Sequence, residues 1–130
     1  MRKSMLALAV AMCAVLAGCS LKYTQEEIRA EHKYRSQFNV DDSIQVAIKN
    51  IINKQVECFP RLVFDRRVTV LDEIGEATIE YKSGMSNAAT VILVDLKRQN
   101  DKTLVTVYAT HGKGVFDSIE YGAKGIEGCP

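Results

Sequence analysis

Little in this sequence points to a reaction. It holds only two histidines, His32 and His111, and no CxxC or HxxxH spacing, so a zinc site lacks ligands. It has no GxxxxGK[ST] and no GxGxxG, the glycine patterns that cradle nucleotide phosphates. Ser43, Ser83, Ser86 and Ser118 stand outside any nucleophile-elbow context. A positive excess is missing too: 17 Lys+Arg face 16 Asp+Glu. Phosphate backbones need clustered positive charge, so a nucleic-acid partner is not expected. The pairs Arg66-Arg67 and Lys97-Arg98 read as solvated strand ends. There are no repeats, and no low-complexity stretch follows the first twenty residues.

What is present begins at the amino end. Arg2 and Lys3 precede an apolar run from Met5 to Ala17, which closes on Leu16-Ala17-Gly18-Cys19. A charged start, a short apolar core and a small-residue cleavage site make a secretory signal. The run is short for a span, which takes about 20 apolar residues. The cysteine after the small pair resembles the lipobox of bacterial lipoproteins. That resemblance implies cleavage before Cys19 and acylation of Cys19, the first residue of the mature chain. Residues 19–130 then remain, enough for one domain with a real core. Loss of Arg2 and Lys3 leaves 15 basic residues against 16 acidic ones, a net charge of about −1.

Four cysteines sort by position. Cys13 lies in the leader and Cys19 is the lipidation residue. Cys58 and Cys129 remain, in a compartment where disulfides persist, and they are expected to pair.

Residues 19–36 read as a lipidated tether. Thr24-Gln-Glu-Glu27 fits a capping box, but the charged segment through Arg35 offers few apolar residues. A short exposed helix, or a plain linker, is expected. A partner-binding helix that orders on contact is the alternative. The single folded domain is set at 37–130. Phe38 and Val40 suit a short leading strand. Asp42 with Gln45 offers a helix start. Ile44, Ala47, Ile48, Ile51, Ile52 and Val56 follow at spacings of three and four, one apolar stripe, and Pro60 stops the helix.

Strands and turns come next. Val63 to Leu71 is β-branched and aromatic, and Asp72 to Gly75 is a turn. Ala77, Ile79 and Tyr81 alternate with Thr78, Glu80 and Lys82, so the first three should be the buried set. Ser83 to Asn87 is a loop, Ala88 to Leu96 a strand buried on both faces, and Leu104 to Ala109 the next strand. A last helix carries Val115, Phe116, Ile119, Gly122 and Ala123, with Gly125 as its C′ residue. The fold class is α+β: a four-stranded antiparallel sheet with two helices packed on one face.

Counting chain direction through that meander makes the two helices antiparallel and sets Cys58 and Cys129 at opposite ends. A disulfide needs Cα atoms within about 7 Å. Either the glycine-bearing tail folds back, or the strand number is odd, or the pair is not bonded. The compartment favours the bond.

Few residues offer chemistry. His111 is the one acid–base group at a strand–helix junction, with Asp117 and Glu120 after it, yet nothing in the spacing orients a dyad. His111-Gly-Lys-Gly114 opens a helix, where exposed N–H groups and Lys113 could hold an anion, but the favoured reading is that Gly112 and Gly114 make the strand-to-helix turn. Asp41-Asp42 and Glu26-Glu27 stand at helix starts, where they complement the dipole without a metal. No catalytic, cofactor or metal residue is assigned.

The whole chain resembles a loose group of small Gram-negative envelope lipoproteins of unassigned function. The shared pattern is an acyl-Cys, a polar tether, a helix ending near a Cys, a strand-rich middle and a last helix ending in Cys-Pro. Such relatives often carry a Trp in the last helix; this chain has none, and Tyr121 takes that place. In that group an Asp after the acyl-Cys retains the protein at the inner membrane. Ser20 stands there, which implies the outer membrane, facing the periplasm. With no catalytic constellation in the sequence, the expected function is a non-enzymatic interaction or structural module of the envelope, lipid-anchored, whose uncovered sheet face or strand edge could meet another envelope protein. A small-ligand or lipid-binding module is the alternative.

Overall fold

A computed structural model describes residues 24–61, 64–83 and 89–130. The leader 1–18, Cys19, the tether up to Tyr23, Val63 and most of the 83–87 loop lie outside the described residues. No helix among the described residues is long and apolar enough to cross a membrane.

The sheet has five antiparallel strands, not the four expected. β1 (Tyr34–Val40), β2 (Asp65–Leu71), β3 (Glu76–Lys82), β4 (Thr90–Gln99) and β5 (Lys102–Ala109) stand in the order β1-β5-β4-β3-β2. The extra member is the leading strand. Its side chains alternate between partly buried and exposed, and it pairs along its length with β5, Tyr34 opposite Ala109 through Val40 opposite Thr103. The β2-to-β5 part is the expected meander, joined by a 3-10 turn at Asp72–Ile74 and by Asn100, whose φ is 59°.

Two helices cover one face, α2 (Ile44–Cys58) and α3 (Lys113–Lys124). Between sheet and helices lie Ala77, Ile79 and Tyr81 of β3, Ile92, Val94 and Leu96 of β4, and Val105, Val107 and Ala109 of β5. The period-two expectation for β3 holds: those three residues are 5, 0 and 0 % exposed, below Thr78, Glu80 and Lys82. The stripe of α2 is narrower than expected. Ile44, Ala47 and Ile51 are buried, but the next buried position is Gln55, and Val56 is half exposed. At 100° per residue Gln55 falls in line with Ile44 and Ile51, whereas Val56 rotates away. The cap is Ser43, not Asp42: its hydroxyl accepts from the Val46 N–H.

A third helix, α1 (Gln25–Ala30), lies on the other face, against β4 and β5. This differs from the exposed helix or linker expected of its charged sequence. Ile28 is fully buried, and the Arg29 guanidinium donates two 2.8 Å hydrogen bonds to the two oxygens of Asp95. The Thr24 hydroxyl accepts from the Glu27 N–H, as the capping box requires. Six residues make too few hydrogen bonds to hold a helix alone. One buried aliphatic side chain and one forked ion pair hold this one instead.

The tail answers the topology count. α2 and α3 do run antiparallel. The chain then reverses at Gly125, where the N–H of Gly125 donates to Gly122 O and that of Ile126 to Tyr121 O, a Schellman closure. Gly128 is again left-handed, and its carbonyl accepts from Lys54 Nζ. Cys129 is thereby returned to Cys58 at disulfide-bonding distance, with Cα atoms 5.6 Å apart.

Candidate functional site

The strand–helix junction where sequence placed its chemistry is a turn. Gly112 takes φ 81° at the start of α3, a conformation that glycine adopts without strain. A Cβ on Gly114 would fall 2.9 Å from the Phe59 ring, so this glycine is set by close packing. His111 is exposed; its Nδ1 is 3.0 Å from the Thr110 hydroxyl and its ring meets Phe64 edge-on. Asp117 and Glu120 are engaged by Lys113 and Lys124, one turn away on their own helix, and not by His111. The structure does not bring a dyad together here. Lys113 also stands over the rings of Tyr34 and Phe116, which accounts for its placement through cation–π contact.

The paired acids separate. Asp41 faces Lys102 at 3.3 Å, and the backbone carbonyl of Asp42 accepts from Arg98 and from the Thr103 hydroxyl. Arg98 is therefore not a solvated strand end. It ties the β1–α2 turn to the β4–β5 hairpin. Arg66 likewise reaches across to Gln55 Oε1 at 2.7 Å, while Arg67 pairs with Asp65 at the surface. Among the described residues no group of three or more His, Cys, Asp or Glu side chains converges as a metal site would require.

Three surfaces remain. The first is an apolar cleft of about 530 Å³ between the end of α2 and the start of α3, walled by Phe59, Pro60, Phe64 and Val115, with Arg61 at its lip. The second is a more polar cleft of about 590 Å³ on the open sheet face, beside α1. Gln25, Arg29 and Asp95 border it on one side and Thr69, Leu71 and Glu76 on the other. The third is the edge strand β2, every residue of which is exposed, Val68 and Val70 included. Asp65, Arg66 and Arg67 charge one half of that edge, which guards it against indiscriminate strand pairing.

Besides Gln55, two buried polar groups are not legible in the sequence. Glu80 is 7 % exposed; it accepts from the Thr90 hydroxyl at 2.9 Å and has Lys82 at 3.8 Å. Tyr81 is fully buried, and its hydroxyl has no hydrogen-bond partner among the described residues. Burial pushes its phenol up to about 12, against a smaller opposite pull from Arg66. Strand alternation identifies the face of Tyr81 but not the fate of its hydroxyl. The Arg29–Asp95 pair raises the guanidinium's pKa further, chiefly through the hydrogen bonds. Ile28, the one aliphatic residue larger than alanine in a charged segment, was the available signal for that contact.

Comparison with protein-family models, with curated proteins and with solved structures returns no match to this chain.

Proposed function

We propose that this chain is a periplasmic lipoprotein of the outer membrane, acylated at Cys19, that serves the cell envelope as a non-enzymatic interaction or structural module. The observation that carries the reading is the leader: Arg2 and Lys3, the apolar run, and Leu16-Ala17-Gly18-Cys19. The Cys58–Cys129 pair at disulfide-bonding distance fits an oxidising compartment. The open edge of β2 and the sheet face beside α1 supply contact area for another envelope protein.

One observation favours the second reading, a small-ligand or lipid-binding module. The cleft beside Phe59 and Phe64 is mostly apolar and of a size that holds small ligands.

Growth with labelled palmitate tests the first reading. The wild-type chain should carry label and enter the detergent phase, since two or more acyl chains hold a protein stably in a membrane. Cys19→Ser should carry none. Label-free wild-type chain in the aqueous phase refutes the anchor.

A further inference from the structure

The lipid leash is far shorter than the sequence implies. With α1 docked by Ile28 and by the forked Arg29–Asp95 pair, the described structure starts at Thr24, already seated against the sheet. Between Cys19 and Thr24 lie five Cα steps, at most about 18 Å even when fully extended. One end of the domain must therefore lie close to the lipid headgroups.

That end can be identified. The chain runs along α1 from Gln25, which shares a cleft with Leu71, Glu76 and Lys97, to His32, two residues past the helix, whose ring packs on Tyr108. The start of α1 therefore lies at the end of the sheet that carries the β2–β3 turn. The turn presents Leu71, 50 % exposed, and Ile74, 61 % exposed, the most exposed large apolar side chain among the described residues. The opposite end, with Val56 and His111, is a strand length away, about 25 Å for eight residues. Two independent features thus converge: the shortest route to the anchor, and an uncovered apolar tip.

Resting on the anchor reading above, we infer that the β2–β3 turn is a second membrane contact, with Leu71 and Ile74 entering the interfacial layer of the leaflet that holds the acyl chains. Asp72 and Glu73 flank these side chains, and Asp72 is already held by Gln45 at 3.1 Å. An acidic tip suits a phospholipid surface of low net charge and is repelled by an anionic one. The contact needs only weak affinity of its own, because the leash keeps the tip at high effective concentration beside the surface.

The sequence has no tryptophan, so Ile74→Trp places a single indole at the tip. The test uses the full acylated chain in phosphatidylcholine vesicles, with and without bromine on the acyl chains. The indole emission should shift to the blue on vesicle binding and be quenched by the brominated lipid. Leu71→Trp should behave the same way, and Val56→Trp, at the far end, should not be quenched. A Gly/Ser insert of about 20 residues after Ser20, which lengthens the leash severalfold, should reduce the quenching. If the chain binds vesicles but the indole at 71 and 74 keeps its aqueous emission, the turn contact is refuted and the anchor stands. If mass analysis finds no acyl group on Cys19, the anchor reading falls and this inference with it.

Discussion

Gly122 of α3 rests directly on the backbone of Asn50 in α2. A Cβ at position 122 would lie 2.7 Å from the Asn50 carbonyl oxygen and 2.8 Å from Lys54 Cβ. The two helices meet where one of them has no side chain. Gly122→Ala should therefore destabilise the fold by about 1–3 kcal/mol through overpacking, even though alanine is the better helix former. Urea titration checks this, and an unchanged or raised midpoint contradicts it.

The Cys58–Cys129 bond is expected to form in the folded protein. Residues 71 apart in sequence close a long loop, for which chain entropy gives about 4 kcal/mol as an upper guide. Cys58→Ser and Cys129→Ser should lower the melting temperature by similar amounts, and the double variant by no more than either. Alkylation of both cysteines without reductant would show the bond to be absent.

Removing the seat of α1 should free it without unfolding the sheet. Ile28→Ala should cost about 2–4 kcal/mol locally, the usual range for a buried aliphatic residue. Arg29→Ala breaks a partly exposed ion pair and should cost less, about 1 kcal/mol. Hydrogen exchange should then rise in residues 25–32 while β4 and β5 stay protected. Equal loss of protection everywhere would mean that α1 is part of the cooperative core.

Tyr81 sets an alkaline limit. Its phenol is raised from 10.0 to about 12 in the folded chain. The unfolded chain gives up this proton first, so the contribution to stability is complete below pH 10 and is lost as pH rises toward 12. Two pKa steps correspond to about 3 kcal/mol. The hydroxyl is fully buried, and Tyr81→Phe should flatten this slope with little loss at neutral pH. Denaturant midpoints between pH 9 and 12 decide, and parallel curves for both proteins would exclude the effect.

The elements most legible in the sequence were those in which one periodicity met one buried face. Ala77, Ile79 and Tyr81 declare themselves because every second residue is apolar, and the α3 face declares itself through Val115, Ile119 and Ala123. Where burial is met by polar side chains, pattern reading stops. Gln55 is buried because Arg66 and the Phe59 carbonyl take up its amide, and apolar spacing assigns the stripe to Val56 instead. β1 was undercounted for a related reason: its alternation is half-hearted, since as an edge strand it is never fully buried before Val40. α1 is legible from its capping box, but its docking is not, because a single isoleucine among charges carries no period. Of the candidate site, the cysteine pair was legible from count and compartment. The apolar cleft was not, because it joins residues from the end of α2, the approach to β2 and the start of α3.

The strand order carries a consequence for when this protein can finish folding. β2 to β5 are joined to their neighbours by short connections and can zip together locally. β1 cannot, because among the described residues its only partner is β5, nearly at the other end of the chain. The first strand to emerge during synthesis or export thus waits for the last, and the loop it closes spans most of the domain. Until β5 arrives, β1 has no place in the sheet, and α1 has no surface of β4 and β5 to dock on. On the anchor reading proposed above, the strand nearest the lipid is thus the last to be seated in the sheet.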